Sequence, residues 1–282
     1  MAEQYKLIYP VKYYRDYLIN DIRPDGREFD KFRPIALNIG SINTADGSAI
    51  VKIGNTNIVC GIRAELAKPK AETPESGFLV PSIELPPICS KKYRENDSSF
   101  KIANKDADVL TCTLYDILTN ARCVDLKELC ICKERLVWAI YLDIVCLNHD
   151  GCVLDTALVA ALAALKNLTL PKIDYDADIN SISVNVEERS KIKINSLPVA
   201  TTLMVFDDNI IVTDPTSEEE DLSSTMITIA ICNSDVCFVF KPGGTPFSQN
   251  QMEICTNRAL ARESYILELL NNAKAGNLNL KE

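Results

Sequence analysis

Residues 150–165 read DGCVLDTALVAALAAL, and no other stretch limits the architecture as severely. A long apolar run, residues 136–147, comes just before it. Asp150-Gly151 turns the chain. The helix that follows is apolar on every side: Leu158, Val159, Ala160, Ala161, Leu162, Ala163, Ala164 and Leu165. A helix with no polar stripe must be enclosed, and its alanines let neighbouring backbones come close. The mouth of such a helix carries unpaired N–H groups and the positive end of the helix dipole, a natural seat for an anion. Here the mouth carries Leu154 and Asp155, with Asp155 placed to cap. A phosphate there would meet no guanidinium and one negative charge, so the sequence predicts a mouth that takes no phosphate.

The 282 residues are 47% hydrophobic and 24% charged, enough for one large or two small domains with a substantial core. A net charge of -9 excludes an all-round basic nucleic-acid coat, although local basic patches remain open. No apolar run is long enough to span a bilayer, and MAEQYKLIYP lacks a signal core. Eleven cysteines, an odd number, are then expected to be reduced thiols of the cytosol or nucleus. Cys130-Ile131-Cys132 is the one tight pair, and its spacing is wrong for a zinc knuckle, so no metal site is expected. His149 is the single histidine, which excludes paired-histidine chemistry.

Residues 10–20 read as a short helix opened by Pro10, followed by a turn at Arg23-Pro24-Asp25-Gly26-Arg27. Residues 35–39, 48–53 and 57–66 read as an antiparallel meander, its last hairpin at Gly54-Asn55-Thr56. Residues 67–99 hold Pro69, Pro74, Pro81, Pro86 and Pro87 among lysines. They are expected to form a long loop, either a solvated excursion or an arm that touches a partner or a polyanion. Residues 106–120 follow a helical pattern, and residues 135–147 read as a central strand. Polar residues 167–178 mark a boundary between halves. Beyond it come strands at 181–186, 199–206, 210–213, 225–232 and 236–241. A long helix follows, opened by a Ser248/Gln251 capping box and running to about residue 273. Strands then helix, twice over, predict a duplicated α+β fold. The expected divisions are an N-terminal helix and arm (1–30), a first half (31–170), a second half (180–273) and a frayed tail (274–282).

Several segments in the right order resemble the RNase PH-like family. Arg23-Pro24-Asp25-Gly26-Arg27 resembles its opening motif, and Asp46-Gly47-Ser48-Ala49 with Gly54-Asn55-Thr56 the strands after it. Asp150-Gly151 with the Ala-rich helix resembles the helix that carries the phosphate site in active members. Asp214-Pro215-Thr216-Ser217-Glu218-Glu219-Glu220 resembles the acidic signature of ring subunits that lack catalysis, and Lys241-Pro242-Gly243-Gly244 fits before the last helix. The match covers nearly the whole chain, roughly residues 13–270. The resemblance implies an RNase PH-like fold, a duplicated unit of mixed or antiparallel β-sheet with packed helices. It also implies a place in the six-subunit ring of the eukaryotic RNA exosome.

By that resemblance, active relatives carry an arginine where this chain has Leu154, and more arginines along the earlier helix. Residues 106–120 contain none. The implied role is a non-catalytic subunit that supports 3′-to-5′ RNA processing and degradation, with no catalytic residue, metal or cofactor. The alternatives are an exoribonuclease whose site a partner completes, and an adaptor with no RNA role. Candidate RNA contacts are Lys91, Lys92, Arg94, Arg63 and Lys68, each equally readable as an ordinary solvated charge. Such contacts would reach phosphates and be salt-sensitive. Asp214 with Glu218, Glu219 and Glu220 could be read as a metal site. The alternative is structural, with an Asx-type turn at Asp214 and a helical turn capped by Thr216 and Glu219. Expected partners are other RNase PH-like subunits, OB- or KH-type caps and RNA, with no membrane. The implied locations are nucleus, nucleolus and cytoplasm.

Overall fold

A computed structural model describes residues 2–93, 97–176, 181–207, 209–273 and 279–281. Two helices open the chain, α1 (Ala2–Ile8) and α2 (Pro10–Leu18). Strands β1 (Ile35–Ile39), β2 (Gly47–Ile53), β3 (Thr56–Ala67) and β4 (Phe78–Glu84) precede helix α3 (Asp97–Asn120). Strands β5 (Cys130–Cys132) and β6 (Leu136–Asn148) lead into helix α4 (Val153–Asn167). The second half runs through β7 (Thr169–Asp176), β8 (Ser181–Lys191), β9 (Val199–Phe206) and β10 (Ile210–Thr213). Helix α5 (Ser217–Leu222), strands β11 (Thr225–Cys232) and β12 (Asp235–Phe240), helix α6 (Gln249–Asn272) and strand β13 (Asn279–Lys281) complete it.

One sheet has the order β13-β1-β2-β3-β6-β4, with β5 on β6, and a second the order β10-β9-β11-β12. Helix α4 packs on β2 and β3 of the first sheet and on β9 of the second. Its all-round apolarity follows from this: a helix held between two sheets has no face left for water. Residues 153–165 are all buried. Gly47 sets how close the helix comes, since a Cβ there would stand 2.8 Å from the Ala164 carbonyl oxygen. The main core is continuous across the halves, joining Ile58, Ile140 and Leu162 to Val199, Ala230 and Leu269.

The expected duplicated α+β architecture is present, as is the antiparallel β1–β3 meander. Several local expectations are corrected. Residues 67–99 are not one loop: β4 runs parallel to β6 at the sheet edge, where Pro81 is tolerated because no outer neighbour needs its missing N–H. Helix α3 begins at Asp97, nine residues before its apolar pattern becomes regular. The stretch from residue 167 expected as a boundary between halves carries β7, which pairs with β8 as a two-stranded ribbon and does not contradict the boundary itself. Cys130–Cys132 is a short strand on β6. At the tail, Asn279–Lys281 pairs antiparallel with β1 where composition predicts fraying, and residues 274–278 lie outside the described residues.

Candidate functional site at the mouth of helix α4

The turn into α4 is held from three directions. Thr56 on β3 donates its hydroxyl to the Gly151 carbonyl at 2.7 Å and accepts from the Asp150 N–H at 3.1 Å. The Arg33 guanidinium donates to the Asp150 carbonyl. Residues 215–217 lie so close over Gly151 (φ +81°) that a Cβ there would stand 2.4 Å from the Pro215 carbonyl oxygen. The N-cap is Cys152, in the left-handed region at φ 51°, with no side-chain cap.

Asp155 does not cap the helix. It is buried and turned sideways, accepting from the Thr202 N–H at 2.7 Å and the Thr202 hydroxyl at 2.8 Å. Burial pushes its carboxyl up to about 6 against those two bonds. The acid at the mouth is Glu220, whose Oε1 accepts from the Cys152 N–H at 2.7 Å. Burial raises its carboxyl to about 7, opposed by that N–H and by Arg33. The protein thus sets its own carboxylate where a helix mouth would otherwise face an external anion. Leu154 points into the core, 5% exposed. Outside the mouth lies a cleft of about 320 Å³ whose lining includes Asp25, Asp150, Glu218 and Glu219, with Lys6 as its one cation among the described residues.

The acidic segment is engaged residue by residue. Asp214 (φ 52°) takes Arg33 side-on, with Nη2–Oδ1 at 2.7 Å and Nε–Oδ2 at 3.0 Å, and also accepts the Arg33 backbone N–H at 2.7 Å. Burial alone would raise its carboxyl, but Arg33 holds it at about 2. Its carboxylate therefore serves an arginine and not the Asx-type turn expected there. Glu219 receives Arg23, which is fully buried and also donates to the carbonyls of Thr213 and Asp214. Glu219 further completes the expected capping box with Thr216. Glu218 accepts from Tyr14 and pairs with Lys6. The first arginine of the RPDGR turn and the acidic segment are thus two halves of one clasp. Among the described residues no group of three or more His, Cys, Asp or Glu side chains could hold a metal ion.

The candidate RNA contacts do not form one patch. Ala67 pairs with Val137, whereas the Cys89 carbonyl takes the His149 N–H. Lys68 and Lys91 therefore lie towards opposite ends of β6, ~40 Å apart at the usual strand rise. Lys91 and Lys92 are exposed on a 3-10 turn at the α4 end, Lys92 3.5 Å from Asp106 and near enough to Glu220 to lower that carboxyl. Arg63 is tied to Glu65 at 3.5 Å and lies over the Tyr141 ring at 5.2 Å. Lys68 is exposed. Arg94 lies outside the described residues. The reading from sequence missed Arg33 and Thr202, and it weighed Glu220 only as part of a metal site or a structural turn, not as the acid at the helix mouth.

Residues 31–171 match the first domain of the 3′ exoribonuclease family (RNase PH), and residues 196–262 match the second. Exosome complex component rrp43 of Schizosaccharomyces pombe is 35% identical over 259 residues, covering 92% of this chain and 94% of that protein. Exosome complex component Rrp42 of Pyrococcus furiosus is 29% identical over 93% of this chain and 95% of its own. Among solved structures, the Archaeoglobus fulgidus exosome with RNA bound to the active site superposes with a TM-score of 0.80 at 27% identity. That superposition covers 92% of this chain and 96% of the other.

Proposed function

The chain belongs to the RNase PH-like 3′ exoribonuclease family, and on that premise we propose that it is a non-catalytic structural subunit of an exosome core ring. In this role it supports 3′-to-5′ RNA processing and degradation, including rRNA maturation and mRNA turnover, by building the ring and lining part of its RNA channel. Within the ring subunits, the run from Asn38 to Ala49 with Leu85-Pro86-Pro87-Ile88-Cys89-Ser90 resembles exosome component eight. The reading places it beside an active-type RNase PH-like subunit and under OB- or KH-type caps, in nucleus, nucleolus and cytoplasm, with no cofactor.

The observation that carries this reading is the Glu220 carboxylate on the Cys152 N–H, with Leu154 turned into the core. Phosphorolysis must hold inorganic phosphate beside the RNA polyanion, which needs preorganised positive charge. Each charge-assisted hydrogen bond from an arginine contributes about 1.5–3 kcal/mol. Contrary to the expectation of no guanidinium at the mouth, Arg33 lies there, but it is taken up by Asp214 and by the Asp150 and Gly151 carbonyls, and a carboxylate holds the Cys152 N–H. Support for ring assembly comes from the N-terminal helices and the segment after them. There Leu7, Ile8, Tyr9, Val11, Ile19 and Ile22 are all at least 45% exposed, a concentration of apolar surface that marks an interaction site.

The purified chain, given 3′-hydroxyl RNA and phosphate, is expected to release no nucleoside diphosphate. Coexpression with ring subunits is expected to give a complex whose intact mass includes one copy of this chain. Phosphate-dependent nucleoside diphosphate release by the chain alone would overturn the reading. Release only on mixing, and lost on mutating the partner's residues across the interface, would favour a composite site. Replacing Lys91 and Lys92 with glutamate is expected to weaken RNA retention by the assembled ring roughly tenfold at low salt and to flatten its salt dependence. Unchanged retention in a filter-binding titration would remove both lysines from the channel.

A further inference from the structure

We propose that the cleft between residues 70–79, the last turn of α3 and the 122–127 loop is a docking site for an acidic peptide segment of a partner protein, one that carries an apolar anchor side chain. The cleft encloses about 720 Å³ and lies well away from the α4 mouth. Its walls are set before any ligand arrives. Residues 70–77 are wound into turns, Thr73 N–H to the Lys70 carbonyl at 3.1 Å and Ser76 N–H to the Thr73 carbonyl at 3.2 Å. Gly77 pins that wall: its N–H meets the Leu126 carbonyl at 2.8 Å, and a Cβ would stand 2.5 Å from Leu129 Cβ and 2.6 Å from the Trp138 carbonyl oxygen. The opposite wall is tied to the second half of the chain, where Asn195 N–H reaches the Cys123 carbonyl at 2.9 Å and Ser196 donates to Ala121.

Inside this frame the floor is aliphatic, built from Leu79, Leu118, Val124 and Leu126, and the cations are Lys70, Arg122 and Lys127. Among the described residues no carboxylate lies within 4.0 Å of any of the three cations. The one acid among the described lining residues, Asp125, accepts the Lys127 backbone N–H at 3.0 Å and so is committed to its own turn, and nearby Glu75, which feels Lys127, is paired to Lys133 at 2.6 Å. Three cations above a greasy floor, in a chain of net charge -9, complement a carboxylate-bearing ligand with an apolar side chain.

Arg122 also holds a position that favours glycine. It closes α3 at φ 50°, with its N–H on the Thr119 carbonyl and the Cys123 N–H on the Leu118 carbonyl, the double bond of a left-handed helix terminus. An arginine there bears a backbone cost that glycine would not. The floor favours peptide over single-stranded RNA. The two rings in the lining make no stacking platform for successive bases: the Phe78 ring has the Lys70 ammonium 5.9 Å from its centroid, and Tyr115, 45% exposed, is a single ring beside four aliphatic side chains.

The test uses the full chain and a short fluorescent peptide in which glutamates alternate with leucine and phenylalanine. A second peptide has serine at the apolar positions, and an oligouridylate of similar length serves as competitor. Anisotropy is expected to show the first peptide binding roughly tenfold tighter than the serine peptide. Lys70→Glu with Lys127→Glu is expected to weaken it roughly tenfold. Arg122→Gly should weaken it several-fold while the thermal midpoint stays level or rises, a pairing that loss of folding cannot produce. Equal binding of the two peptides, unchanged affinity in the variants, or tighter binding of the oligouridylate at the same residues would each overturn the proposal.

Discussion

Replacing Arg33 with methionine is expected to destabilise the protein by about 3–5 kcal/mol at neutral pH, the usual cost of leaving one member of a buried ion pair behind. Arg33 is 6% exposed and Asp214 3%, so neither charge can turn to water. The substitution removes the side-on pair and the contacts to the Asp150 and Gly151 carbonyls together. Asp214 would keep the residue 33 N–H, a long contact of 3.4 Å to Arg27 and the field of the buried Arg262. The pH dependence has a definite sign. Arg33 holds the Asp214 carboxyl at about 2, below its unfolded value. The pair's stabilisation is therefore present above about pH 4 and fades as pH falls towards 2. In Arg33→Met the unpaired carboxyl takes up a proton more readily, so the deficit should shrink on acidification from pH 7 to pH 5. Adding Asp214→Leu to Arg33→Met should recover part of the loss, because the orphaned carboxylate goes with its partner while the buried Arg262 keeps Asp155 as a neighbour. Urea unfolding of the single and double variants gives the coupling directly. A loss under about 1 kcal/mol, or simple additivity of the two substitutions, would show that the clasp is not what fixes the α4 mouth.

The clasp also shows where a sequence is legible and where it is not. Helix α4 declares itself because enclosure between two sheets demands apolarity all round, and thirteen consecutive buried residues carry that mark. The meander is legible through Gly54 and the period-two burial of β3. By contrast, β4 is hidden by Pro81 and by the lysines on either side of it. Only its edge position makes the proline harmless, and edge position is a property of the assembled sheet. The RPDGR turn reads as a turn, yet Arg23 finds Glu219 196 positions away and Arg33 finds Asp214 across 181. No local pattern encodes such pairings. The same holds at the helix mouth. Asp155 is the first acid within the helix, but a side chain at the third helical position leans over the flank, and there it meets Thr202. Glu220 arrives only because residues 215–217 dock on Gly151. The sign of the charge at the mouth was thus readable, and the residue supplying it was not.

That carboxylate makes the second large prediction, for Glu220→Gln. Burial raises the Glu220 carboxyl to about 7, well above its unfolded value of 4.5. A group raised in the folded state stabilises fully below the unfolded pKa and loses that contribution as pH rises through the folded one. Wild-type stability should therefore fall between about pH 5 and pH 8. Asp155, raised to about 6, adds to the same slope. Glutamine keeps an oxygen to accept the Cys152 N–H and carries no charge to desolvate. At pH 5 the variant and wild type should be nearly equal in stability. At pH 8 the variant should be more stable by roughly 2–3 kcal/mol, after discounting the shift for the partial exposure of the side chain. Part of the slope should survive in the variant, because Asp155 still titrates, and adding Asp155→Asn should flatten most of the remainder. Guanidinium or urea midpoints at the two pH values read the difference. A variant less stable than wild type at pH 8 would mean that the charge itself, and not merely the acceptor oxygen, holds residues 215–220 against the helix, and that Glu220 behaves there as a bound anion behaves at an open helix mouth.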